Sequence, residues 1–148
     1  MIKKIAIACD HGGFELKAPV VEFLKAGGYE IVDFGCDSSA SVDYPDHAIP
    51  AARAVAAGEC DIAILICGTG IGMSLCANKI KGIRAACCSE RYSAKMTRMH
   101  NNANVLCFGA RVVGVGIALD MIKVFLETEY EGGRHDSRVA KIMQLEKE

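Results

Sequence analysis

Ile62-Ala63-Ile64-Leu65-Ile66-Cys67-Gly68-Thr69-Gly70-Ile71-Gly72 is the stretch that decides the fold. Its first five residues form an unbroken, isoleucine-rich apolar run. That reads as a strand covered on both faces. Glycines at 68, 70 and 72 then mark a tight turn, and a helical stretch follows from Ile71 to Asn78. A buried strand turning through glycines into a helix is a piece of a βα repeat.

Four more apolar runs lie outward of it: Lys4–Cys9, Glu30–Phe34, Ile83–Cys88 and Val105–Phe108. Amphipathic stretches alternate with them at Phe14–Ala26, His47–Ala57, Glu90–His100 and Val115–Glu127. In the first of these, Leu16, Val20, Phe23 and Leu24 fall at helical spacing, and Gly27-Gly28 and Gly58 are natural helix stops. Strict alternation with buried strands predicts an α/β fold: a five-stranded parallel sheet in a three-layer α/β/α sandwich. No linker, repeat or low-complexity segment divides the chain. A single domain over 1–148 is expected, with a C-terminal helical tail from about residue 136 through Leu145.

Composition removes several classes of function. The chain has 148 residues, half of them hydrophobic, which is enough for a full core. A net charge of −1 with mixed signs offers no footprint for nucleic acid or an anionic membrane. The longest apolar runs are too short to span a bilayer. Met1-Ile2-Lys3-Lys4 passes directly into strand residues without a signal-peptide pattern, so a cytoplasmic location is expected. The eight cysteines include no CxxC pair and sit largely in or beside apolar runs, which favours reduced thiols over a disulfide framework or zinc site.

In a parallel sheet with returning helices, every strand ends at one edge, and ligands bind in the crevice there. Asp10-His11-Gly12-Gly13 follows strand one, and the glycine loop with Cys67 follows strand three. Ser89-Glu90-Arg91-Tyr92 follows strand four, and Gly109-Ala110-Arg111 follows strand five. The segment from Gly35 to Asp46, carrying Asp43-Tyr44-Pro45, is long enough to lie over that crevice.

The glycine loop departs from its best-known lookalikes at one residue. Met73 stands where a dinucleotide fingerprint needs Gly or Ala, and where a Cys-x5-Arg phosphatase loop needs Arg. The Gly-Lys-Ser/Thr of a Walker loop is also absent. What remains is a turn whose bare N–H groups can hold an oxyanion or phosphate. Cys67 opens that turn, where helix dipole and N–H groups favour thiolate, so a reactive role outweighs simple space filling. Cys87 and Cys107 are read as buried space fillers. His11, beside Asp10, and Arg111 are read as site residues, and His47 as structural. His100 and Asn101 fall at the end of the fourth helix, on the opposite edge of the sheet from Cys67. They are either a structural turn or part of a neighbouring subunit's crevice. The same holds for Gly132-Gly133-Arg134-His135-Asp136-Ser137-Arg138, in which Arg134 and Arg138 would share a helical face suited to phosphate.

Taken together, Ala8-Cys9-Asp10-His11-Gly12-Gly13, Asp43-Tyr44-Pro45, Ile66 to Gly72, Ala77-Asn78-Lys79, Arg98-Met99-His100-Asn101, Asn104-Val105-Leu106 and Glu131 to His135 resemble type B ribose-5-phosphate isomerases. The resemblance spans nearly the whole chain with the motifs in order. It implies a cofactor-free and metal-free aldose–ketose isomerase with a Rossmann-like fold, working through a cis-enediolate. It implies Cys67 as the base, His100 as the ring-opening acid with Asp10 assisting, and Thr69 in the catalytic set. Gly68, Thr69, Gly70, Ile71 and Gly72 would hold the enediolate oxygens. His11, Arg134 and Arg138 would bind phosphate, and Tyr44, Asn101 and Arg111 would be further substrate contacts. It also implies a homodimer or dimer of dimers with sites shared between subunits, which answers the difficulty over His100. An allose- or galactose-6-phosphate isomerase is the near alternative. A non-catalytic phosphate- or nucleotide-binding module is a further one, and a thiol redox role ranks last because no resolving cysteine lies nearby in sequence.

Overall fold

The computed structural model describes residues 1–148. Five strands, β1 (Lys4–Cys9), β2 (Glu30–Asp33), β3 (Ile62–Cys67), β4 (Ala85–Cys87) and β5 (Val105–Gly109), form one parallel sheet in the order β2-β1-β3-β5-β4. The helices are α1 (Phe14–Ala26), α2 (Tyr44–Ala56), α3 (Ile71–Ala77), α4 (Arg91–Asn101), α5 (Val115–Glu127) and α6 (Asp136–Gln144). A 3-10 turn at Gly133–His135 leads into α6, and another at Leu145–Lys147 follows it. None of the helices is long and apolar enough to cross a membrane.

The period-two alternation of the strands sorts their side chains onto two faces. Ile5, Ile7, Ile62, Ile64, Ile66, Leu106 and Phe108 pack with Val20 and Leu24 of α1 and Met121, Ile122 and Phe125 of α5. Ala6, Ala8, Ala63, Leu65, Cys67, Val105 and Cys107 pack with Ala48, Ala51, Ala52 and Val55 of α2 and Met73 and Ala77 of α3. The second face is rich in alanine, so α2 and α3 can lie close to the strands there. Cys67 belongs to that face.

Three sequence expectations change. First, α2 begins at Tyr44, not His47. Asp43 is its extended N-cap residue and Pro45 sits in the first turn, where a missing N–H costs nothing. Tyr44 is therefore fixed on a helix start. Second, β4 is shorter than Ile83–Cys88. Gly82 adopts φ +88°, and the N–H of Arg84 donates to Asn104 Oδ1 at 2.8 Å before pairing begins. Third, Cys87 is exposed, because β4 is an edge strand with an open face. Cys107, inside the sheet, is buried as expected, and burial raises its thiol well above the ordinary value.

Two motif asparagines support this edge. Asn78 Nδ2 donates to the Ala85 carbonyl at 2.9 Å, while its Oδ1 accepts from the Ala85 N–H at 2.8 Å. The amide thus pairs with β4 as a neighbouring strand would. Asn104 Nδ2 donates to the Gly82 carbonyl at 2.8 Å.

Candidate active site

The sheet reverses direction of growth between β1 and β3, and the crevice lies at their carboxyl ends. Here the loops after β1, β3 and β5 interlock through glycines. A Cβ on Gly13 would lie 2.3 Å from the Ile66 carbonyl oxygen. One on Gly12 would lie 2.9 Å from Gly68 N, and one on Gly109 would lie 2.5 Å from Gly68 O. Gly70 takes φ +79°, and its Cβ would meet the Phe108 backbone at 2.7 Å. So the glycines serve close backbone packing as well as an open cradle.

Cys67 is 5 % exposed, and the Gly70 N–H donates to its Sγ at 3.0 Å. The Ile71 N–H donates to Thr69 Oγ1 at 3.3 Å. The N–H groups of Gly68, Thr69 and Gly72 donate to no acceptor within the chain. Asp10 is buried, and its Oδ1 accepts from Gly12 N at 2.8 Å and Gly13 N at 3.1 Å. Val42 N–H donates to His11 Nδ1 at 3.2 Å, which leaves the ring proton on Nε2. The long segment after β2 therefore folds back onto the β1 loop, as its length suggested. Tyr44 lies over Gly72, where a Cβ would fall 2.8 Å from its ring. Arg111 lies over Gly68, with Nη1 3.2 Å from the corresponding Cβ position. Asp10, His11, Tyr44, Cys67, Gly68, Thr69, Gly70, Ile71, Gly72 and Arg111 thus share one edge of the sheet.

Sequence reasoning missed a second thiol there. Cys87 Sγ–H donates to the Thr69 carbonyl at 3.6 Å; although the residue is exposed, partial desolvation of its sulfur, followed by the neighbouring Cys67, raises this thiol. Its place on an open edge strand cannot be read from an apolar run. A second thiol pair was also hidden: Cys9 Sγ and Cys36 Sγ lie 3.7 Å apart, joined by tertiary folding across 27 positions. All eight cysteines are free thiols, and burial pushes Cys9 up to about 12.

His100, Asn101, Arg134 and Arg138 are at the other edge. Cys67 is level with Gly109, the last residue of β5, whereas His100 precedes Val105, the first. Four strand steps of roughly 3.3 Å put about 13 Å of sheet between those levels. No side chain crosses that span within one chain. Around His100 the structure adds two residues absent from the expected roles. His135 stacks on His100 with ring centroids 4.3 Å apart and planes 15° apart. Glu131 Oε2 lies 3.7 Å from His100 Nε2 and 3.6 Å from His135 Nε2. The three donor atoms fall within 4.8 Å of one another. Two nearly parallel rings, however, aim their nitrogen lone pairs along separate planes, so this arrangement does not converge on a metal without reorienting a ring.

The apolar surface is uneven. Ile71 (55 % exposed) and Leu75 (63 % exposed), one turn apart on α3, present a face with nothing packed on it. Tyr92, Val112 and Val115, also near strand ends, are exposed as well.

Comparison with known proteins gives a consistent answer. Residues 5–142 match the Ribose/Galactose Isomerase family. The chain is 52 % identical to ribose-5-phosphate isomerase B of Escherichia coli, covering 98 % of this chain and 97 % of that protein. Its structure is similar to that of Clostridium thermocellum ribose-5-phosphate isomerase B, with TM-score 0.96, 53 % identity and 97 % of each chain covered. It is also similar to ribose-5-phosphate isomerase B of Mycoplasma genitalium with bound ribulose-5-phosphate, with TM-score 0.94, 42 % identity, and 100 % and 99 % coverage. With its fold and motifs in register with these proteins, the chain belongs to the ribose/galactose isomerase family, among the type B ribose-5-phosphate isomerases, and is an aldose–ketose isomerase.

Proposed function

We propose that the chain interconverts ribose 5-phosphate and ribulose 5-phosphate through a cis-enediolate, as a cytoplasmic homo-oligomer with active sites shared between subunits. The observation that carries this reading is the Cys67 thiol receiving the Gly70 N–H, beside the free N–H groups of Gly68, Thr69 and Gly72. The proton next to a sugar carbonyl is weakly acidic. Its removal needs a base near working pH and donors aimed at the oxygen where charge develops. Cys67 takes the proton from C2 and returns it to C1, which one sulfur can do because the carbons are adjacent. Backbone N–H groups of the loop hold the enediolate oxygens, with Thr69 and Tyr44 at the rim.

The remaining roles divide by edge. Asp10 keeps one carboxylate oxygen on the Gly12 and Gly13 N–H groups, leaving the other to assist ring opening. His11 offers Nε2–H to phosphate, and Arg111 contacts the substrate above Gly68. His100, Asn101, Arg134 and Arg138 act on the site of a neighbouring subunit, with His100 protonating the ring oxygen and the arginines binding phosphate. The bare face of Ile71 and Leu75 beside the crevice supports such an association. Binding the remote phosphate positions the reacting carbons.

The test is a comparison of kcat/KM on ribose 5-phosphate and allose 6-phosphate. A preference for the pentose by tenfold or more is expected, and the reverse preference would move the chain to the hexose branch. Cys67→Ala should abolish isomerisation while sparing substrate binding.

A further inference from the structure

His135 has no role in the chemistry described above, yet it is the most enclosed ring near His100, at 4 % exposure. Its face stacks on His100. Its edge meets the neighbouring guanidinium: Arg134 Nε–H donates to His135 Nε2 at 3.4 Å. With Arg134 as donor, Nε2 is the acceptor and the neutral ring is assigned its proton on Nδ1; Glu131 Oε2, 3.6 Å from the same nitrogen, lies beyond hydrogen-bond length. Burial, then His100, Arg134 and Arg138, hold it below the ordinary histidine value against the opposing pull of Glu131. The segment is anchored as well, since the Glu131 N–H donates to the Met99 carbonyl at 3.0 Å.

We infer that His135 is a positioning residue that holds the His100 ring by its face and the Arg134 guanidinium by its edge, fixing the spacing between ring-opening acid and phosphate ligand. The inference rests on the roles proposed for His100 and Arg134. The substrate gives the spacing its purpose. The ring oxygen and the phosphorus of a furanose 5-phosphate are separated by C4, C5 and O5, so an acid and an anion ligand serving both must keep a matching distance. A single neutral ring touching both groups supplies that distance without adding charge beside the phosphate.

Two substitutions separate the contacts. His135→Phe keeps a flat ring for stacking and removes the acceptor. His135→Gln keeps an acceptor and removes the ring face. For His135→Phe, KM for ribose 5-phosphate should rise about tenfold with kcat within about threefold, and competitive inhibition by inorganic phosphate should weaken in parallel. For His135→Gln, kcat should fall about tenfold with KM within about threefold. Equal losses of both parameters in both variants, or the opposite split, would overturn the inference. His100→Asn and Arg134→Ala are measured alongside. If these leave kcat and KM unchanged, the proposed roles themselves fail and the inference falls with them. If they behave as expected and the His135 variants do not split, only the inference fails. Imidazole nitrogen NMR on the unmodified protein gives a readout independent of variant folding. A proton on Nδ1 and a bare Nε2 at neutral pH are expected for His135, and a protonated Nε2 would overturn the assignment.

Discussion

The crevice around Cys67 and the cluster around His100 lie at opposite edges of one sheet and are built in opposite ways. At the crevice, backbone meets backbone. Gly13, Gly70 and Gly109 each sit where a Cβ would come within 2.7 Å of a neighbouring strand's or loop's main chain, so the groups are held by strand ends and packing. At the His100 edge, side chain meets side chain. A stacked ring pair, one carboxylate and two arginines stand on the end of α4, an irregular segment, a 3-10 turn and the first turn of α6. Gly133 there has positive φ but nothing within 4 Å of its Cβ position. The first region is closely determined by backbone packing. The second is held mostly by side-chain contacts, with His135 enclosed and Asn101, Arg134 and Arg138 exposed around it.

The largest test of that contrast uses both regions at once. Cys67→Ala should lower kcat by about 10³-fold and His100→Asn by about 10²-fold, each measured on ribose 5-phosphate. If the two edges complete each other across an interface, subunit exchange between the inactive variants restores one intact site in each mixed dimer. Random mixing then recovers about a quarter of the activity. Proven mixed dimers without recovery would break the comparison, because the two edges would then act separately.

The unequal legibility of the two regions has the same origin. Strand ends can be counted from apolar runs, so Asp10, His11, Cys67, Gly68 and Arg111 fall on one edge before any coordinates exist. Tyr44 belonged to that group by motif, but its helix start required recognising Pro45 as a first-turn residue. The pairings of His135 with His100 and of Cys9 with Cys36 carry no sequence signal, since they join side chains 35 and 27 positions apart with a strand and a helix between them in each case. Cys87 was misread because an apolar strand does not declare whether it lies inside a sheet or at its rim. Only the order β2-β1-β3-β5-β4 makes that distinction.

Glycine replacements sharpen the contrast in backbone packing. Gly70→Ala forces a Cβ to 2.7 Å from the Phe108 backbone at φ +79°, and about 3 kcal/mol of stability should be lost. Gly133→Ala, at φ +58° in open space, should cost about 1 kcal/mol. Urea unfolding measures both, and equal costs would mean that the crevice is not the more tightly determined region. Asn78→Ala falls between them. Losing both hydrogen bonds to Ala85 should cost about 2 kcal/mol and loosen β4, read as faster amide exchange at Ala85 and Cys87.

An effect as small as that of Gly133→Ala is expected at the strand-start edge, the edge of His100. Asp61 Oδ2 accepts from the Lys3 and Lys4 N–H groups at 2.7 and 2.8 Å, joining the start of β1 to that of β3. The Lys4 N–H, then the Lys3 N–H, hold its carboxyl below the ordinary value. A depressed carboxylate contributes stability that is complete above its unfolded value, about 3.9, and is lost as pH falls through the folded value. Asp61→Asn should therefore cost about 1 kcal/mol at neutral pH, the value of two hydrogen bonds to charge reduced by solvent screening at an exposed site. The gap from the unmodified protein should close as pH drops below about 4. Because Asp61 ties strands and touches none of the His100 cluster, kcat at neutral pH should stay unchanged. A fall in kcat would mean that the cluster leans on the sheet edge beneath it, and that the two regions are less separately built than their contacts indicate.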